Sequence, residues 1–131
     1  MAPSSWSKPA YLWHAIIETP AALSFILSPK KQLPDCSPAA ELILRQYGGL
    51  LLSSVLLSVV MLVSPRGARR YNGLFAAALG SYHLWPAYRA YMRLTSDVEG
   101  DIAAPSILGG PAVHITAHLV ALALFSVAAI C

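Results

Sequence analysis

Four histidines and one glutamate fall inside apolar stretches of a chain of 131 residues: His14, Glu18, His83, His114 and His118. Imidazole and carboxyl are the groups most used to move protons near neutral pH. In a water-poor setting, a carboxyl beside a histidine is a matched acid and base. His14 and Glu18 stand at i and i+4 in "HAIIE", and Tyr11, three residues before His14, shares their helical face. The stretch "GSYHLWPAYRAYMRL" supplies Tyr82, His83, Trp85, Tyr88, Arg89 and Tyr91, with Tyr82 and Arg89 seven apart on one face. "PAVHITAHLVALAL" sets His114 and His118 at i, i+4. An ionisable residue inside a membrane costs roughly 3 kcal/mol on insertion scales and turns inward toward a partner or a wet cavity, so each of these positions points to function.

The elements that carry them follow from composition. The chain is 56% hydrophobic and only 11% charged, with mean hydropathy +0.58, which places it outside the range of soluble domains and among membrane proteins. The apolar residues come in four blocks, about 10–27, 42–63, 71–92 and 112–130. A helix needs roughly 20 residues to cross the hydrocarbon core, so the blocks predict an all-α integral membrane protein: one domain over 1–131 built as a four-transmembrane-helix bundle. Pro9 precedes the first block and "SPAAE" leads into the second, where Ser37 caps, Pro38 takes the first helical position and Glu41 complements the helix dipole. Glu18 and Pro20 interrupt the first block too early for a cleavable leader, which reads as a retained span. Glu18 then lies roughly 12 Å along the helix from the start of the span.

The second block carries Gly48, Gly49, Ser53, Ser54 and Ser58 at small-residue spacings and no ionisable group after Arg45. It reads as a packing element, suited to close approach within the bundle or across a homodimer. Pro86 predicts a kink in the third block. Tyr11, Tyr71, Tyr91 and Trp6 read as interfacial anchors. The loops "SPKKQLPDCSPAA" and "TSDVEGDIAAPSILGGP" fall on one side of the membrane, where together they can form a lid. Asp97, Glu99 and Asp101 in the second read as a solvated acidic loop. A net charge of +3 is no nucleic-acid signature here, since the basic residues border spans instead of forming a stripe with aromatics. The basic cluster in "SPRGARR" favours cytoplasmic termini. The two cysteines, Cys36 and Cys131, have no metal-ligand spacing.

Glu18, His83 and His118 can all reach the middle third of the membrane if the first and third helices run one way and the fourth runs back. The chemistry expected is cofactor-independent acid and base catalysis: Glu18 as acid or base, His14 and His83 orienting it or relaying its proton. His118, Tyr82, Trp85, Arg89 and Tyr11 contact the substrate or water. A pocket among apolar helices selects a lipophilic small molecule that arrives from the bilayer or through the lid side. A metal is the rival use of the same groups, with His114 and His118 completed by Glu18 or His83, but the pattern lacks the carboxylate count of a di-iron bundle and the reading assigns no metal and no cofactor. Two non-enzyme classes stand beside it: an accessory or assembly subunit whose polar residues merely pair helices, and proton-coupled transport, against which stand small size and the lack of an inverted repeat.

The spacing of His14 and Glu18 in "HAIIE" resembles the motif of the emopamil-binding-protein family of sterol double-bond isomerases. That resemblance implies a proton shuttled by His14 and Glu18, with a sterol-like substrate. A small four-span protein with a polar pocket and no cofactor motif is also similar to compact membrane enzymes of fungal secondary metabolism, including ones that open or cyclise epoxides. This likeness implies a polyketide or terpenoid substrate and, with the multi-pass character, an endoplasmic reticulum membrane.

Overall fold

Long apolar runs satisfy their backbone polar groups internally by folding as helices, and the computed structural model describes residues 7–63, 71–95 and 110–130, all of them helical or in short connections. The helices are α1 (Ser7–Leu27), α2 (Pro38–Val63), α3 (Asn72–Tyr82), α4 (Leu84–Thr95) and α5 (Gly110–Ile130), with a short 3-10 turn at Pro29–Lys31. The basic connection 64–70, the acidic loop with Asp97, Glu99 and Asp101, and the residues Trp6 and Cys131 lie outside the described residues.

Three helices, α1, α2 and α5, are long and apolar enough to cross a membrane, as expected of a membrane protein. The third apolar block departs from the single span drawn from sequence: it forms two shorter helices that meet at His83. Proline explains the position of the break. Pro86 has no N–H to donate to the carbonyl of Tyr82, four residues back, and its ring crowds that carbonyl. The chain instead tightens at His83, whose N–H donates to the carbonyls of Gly80 and Ser81, and α4 starts at the next residue.

α1 is the centre of the bundle. It packs along α2 on one side and against α5 on another, while α3 and α4 lie end to end along α5. Gly48 makes the first contact possible: a Cβ there would sit 2.8 Å from both Phe25 Cβ and Ile26 Cγ1, so only glycine lets α2 approach α1 this closely. Gly80 allows a similarly close approach for α3, where a Cβ would fall 3.0 Å from Phe125 Cβ of α5. One core cluster gathers Ala10, Tyr11, Ala76, Leu79, Phe125 and Ala128, and another gathers Ala22, Phe25 and Leu51. Between the two clusters lies a polar layer, described below. The end of the bundle that joins α1 to α2 is pinned by Arg45, which pairs with Glu41 at 2.8 Å and donates to the Ile26 carbonyl at the C-terminus of α1.

Candidate functional site

Helical phase brings the polar residues of every long element to one level. His14 and Glu18 of α1 face inward, with 0% and 2% of their surface exposed. His83 is held at the α3–α4 break with 0% exposed, and His118 of α5 faces it with 8% exposed. The break matters here, because a straight helix through Tyr82 and His83 would fix their relative directions at one helical step, whereas the tightened turn lets both reach the centre.

The hydrogen bonds form a directed chain. Ser54 Oγ donates to the Leu51 carbonyl at 2.7 Å, which uses its single proton. It must therefore accept from His14 Nε2, 3.0 Å away. His14 Nδ1 then carries the lone pair and accepts from His83 Nε2 at 2.9 Å. His83 Nδ1 is left as an acceptor in turn, and His118 Nδ1 donates to it at 2.9 Å. Accounting for one proton per bond thus assigns the tautomer of all three neutral rings from one serine hydroxyl. It leaves the Nε2 of His118 as a bare lone pair, on a residue that lines a cavity of the bundle.

Glu18 stands at the end of this chain. Its Oε2 accepts from Tyr82 OH at 3.3 Å, and Tyr82 OH lies 3.4 Å from Tyr47 OH. Its Oε1 lies 3.5 Å from His118 Nδ1 and 3.7 Å from His83 Nδ1, has no hydrogen bond and is fully buried. The cavity beside it measures about 50 Å³ and is lined by Glu18, Tyr47, Tyr82, Arg89, His114 and His118 among others. It extends toward Arg93 and Pro111, at the end of the bundle where α4 finishes and α5 begins.

Of the residues expected from sequence, Glu18, His14, His83, His118 and Tyr82 are brought together, and Arg89 lines the cavity. Trp85 is not part of the site: 73% of its surface is exposed on the outside of the bundle, because the restart of α4 after His83 rotates it away. Tyr11 is neither an interfacial anchor nor a pocket residue. It is 1% exposed, packs edge-on against Phe125 and donates from its hydroxyl to the Asn72 carbonyl at 3.2 Å. His114 lines the cavity beside His118 without joining the chain, with ring centroids 6.2 Å apart.

Two members of the site were missed, both on the helix read as packing alone: Ser54, which sets the direction of the chain, and Tyr47, which supports Tyr82. The signal was present, since positions 47, 51, 54 and 58 share one helical face. Compared with family models, curated proteins and solved structures, the chain has no match.

Proposed function

We propose that the protein is a four-span membrane enzyme that performs acid and base chemistry on a lipophilic substrate without a cofactor. The four-span reading takes α3 and α4 together as the third crossing. It is supported by their placement along α5: Gly73 lies against Ala129, Gly80 against Phe125, His83 against His118, and Arg93 shares the cavity wall with Pro111. Position numbers rise along α3 and α4 as they fall along α5 in these pairs, as an antiparallel crossing requires.

The observation that carries the catalytic reading is the pairing of Glu18 with a base of fixed tautomer. In its acid form Glu18 delivers a proton to an epoxide oxygen or an alkene carbon, and His118 Nε2 removes one from water, from an internal hydroxyl or from a neighbouring carbon. A proton enters and a proton leaves, so opening, cyclisation and isomerisation all balance with these two groups. His14 and His83 are positioning residues in this scheme, because they hold the His118 proton on Nδ1. Tyr82 orients the Glu18 carboxyl, and Arg89 adds positive charge at the far end of the cavity.

Cavity size narrows the substrate. A volume of about 50 Å³ admits the reacting end of a molecule and not a whole polyketide or terpenoid, which requires several hundred Å³. The body of the substrate therefore extends out past Arg89 and Pro111 toward the membrane surface. An accessory-subunit role finds less support, because a purely structural carboxyl gains nothing from a neighbouring cavity or from an unpaired oxygen.

The test is turnover of lipophilic epoxides and sterol intermediates, followed by mass spectrometry, in microsomes carrying wild type or Glu18→Gln at equal abundance. A loss of at least about 100-fold in product is expected, in line with the removal of a general acid. Unchanged turnover with a folded variant would sink the assignment.

A further inference from the structure

Glu18 Oε1 is the one buried oxygen among the described residues of the site that accepts no hydrogen bond, and two ring nitrogens face it. We propose that Glu18 Oε1, His83 Nδ1 and His118 Nδ1 hold a divalent transition-metal ion, Zn²⁺ by geometry, with its remaining position open to the cavity. The proposal does not rest on the acid and base reading and is a rival use of the same side chains: with the ion bound, Glu18 carries no proton to donate and His118 Nε2 no lone pair to accept one.

The three atoms form a triangle with edges of 2.9, 3.5 and 3.7 Å. The circumcentre of the triangle lies about 2.0 Å from each corner, so an ion displaced slightly from that plane toward a fourth position keeps Zn–N and Zn–O bonds of roughly 2.0–2.2 Å. Coordination number follows from the same edges. At bonds of that length, ligand atoms sit about 3.4 Å apart in a tetrahedron and about 2.9 Å apart in an octahedron. The edges average about 3.4 Å, so the tetrahedral face fits. Three protein ligands and one open position is the arrangement of zinc ions that bind water or substrate, as opposed to closed structural sites.

The surrounding hydrogen bonds have the polarity such an ion needs. A metal-bound histidine donates its other N–H to an acceptor that fixes its tautomer. His83 does this through Nε2 to His14 Nδ1, and His14 is in turn fixed by Ser54. The second oxygen of Glu18 is held by Tyr82. His118 needs only to carry its proton on Nε2 instead of Nδ1, facing the cavity it lines. The ion would thus satisfy the orphan Oε1 and replace one nitrogen-to-nitrogen hydrogen bond, leaving the others unchanged. His14, which offers a ligand atom within 4.8 Å of those of Glu18 and His83, serves better beside the ion than on it, because taking its Nδ1 as a ligand would remove the acceptor that fixes the tautomer of His83. The pair at i, i+4, His114 and His118, is not the pair that converges.

The experiment uses the full chain purified in detergent, stripped with a chelator, equilibrated with Zn²⁺ or Co²⁺ and desalted, with metal read by elemental analysis and geometry by the visible spectrum of cobalt. One ion per chain and the intense absorption of tetrahedral cobalt are expected for wild type. Glu18→Gln and His118→Ala should lose the ion, and His114→Ala should keep it. Ser54→Ala, which leaves all three ligands in place, should weaken affinity about 10- to 100-fold through the tautomer of His83. Wild-type protein that retains no stoichiometric ion overturns the proposal whether or not the ligand variants fold, and so does full retention in both ligand variants. Turnover is followed in the stripped and the loaded preparations: stoichiometric binding with no turnover in either supports the site and removes the catalytic reading. Turnover with no ion retained after loading overturns the site and leaves the catalytic reading standing.

Discussion

A single serine hydroxyl governs the protonation pattern of three histidines. Because Ser54 spends its proton on the Leu51 carbonyl, its replacement by alanine removes the acceptor that holds His14 in one tautomer, and the rings beyond lose their common direction. Ser54→Ala is therefore expected to lower kcat by about 10-fold or more with KM little changed, the split expected when a base is misoriented and binding is untouched. Ser58 is the contrasting residue on the same helix. Its hydroxyl is buried with no hydrogen-bond partner among the described residues, so Ser58→Ala should raise stability by up to about 1 kcal/mol, measured by thermal unfolding in detergent. At this scale the sequence revealed much: His14, Glu18, His83 and His118 announce themselves because a polar group in an apolar run needs a reason. Ser54 and Tyr47 did not, since serine and tyrosine are ordinary in membrane helices and only the packed partner shows what their hydroxyls reach.

At the level of elements, small residues set distances and a proline sets direction. Gly48 and Gly49 are adjacent in sequence but not in consequence: a methyl at Gly48 meets Phe25, Ile26 and the Ala22 carbonyl, whereas one at Gly49 meets nothing within 4 Å. Gly48→Ala should cost about 1–3 kcal/mol by overpacking and Gly49→Ala should be neutral or mildly stabilising, a difference readable as opposite shifts in Tm. Pro86→Ala restores a donor for the Tyr82 carbonyl and lets one helix run through position 83. The variant should melt higher yet lose most of its turnover, because His83 swings out of line with His14 and His118. Trp85 shows why sequence pattern alone misplaces residues here, and Tyr11, whose buried face was expected, shows that phase does not fix a role. When lipid replaces water outside the bundle, the outer face is as apolar as the inner one, and the pattern that marks the inside of a soluble helix disappears. The break at His83 then shifts the phase of everything after it.

For the whole molecule, topology is the decisive property. If α3 and α4 cross together, single cysteines at Tyr71 and Thr95 label from opposite sides of the membrane, and Thr95 labels from the same side as the native Cys36. Labelling of both from one side would mean that the α3–α4 unit dips in and returns, and the cavity would then have no end at the α4–α5 surface. The apolar blocks told that the chain is helical, with segments long enough to cross a membrane; the joint in the third was legible only in Pro86, because a joint lies in a missing N–H and leaves average hydropathy unchanged.

The hydrogen bond from Tyr82 to Glu18 spans 64 residues of chain, and the ribosome makes them in order. At about 5–20 residues per second, α1 waits roughly 3–13 s before the residue that will hold its carboxyl is synthesised. During that interval His14 can already meet Ser54 on α2, but Glu18 stands alone. Any chain that stalls, is cut short or fails to add α3–α5 lacks the partner of that carboxyl, and a chain ended after α2 is expected to be shorter-lived than the full one, as read by pulse-chase.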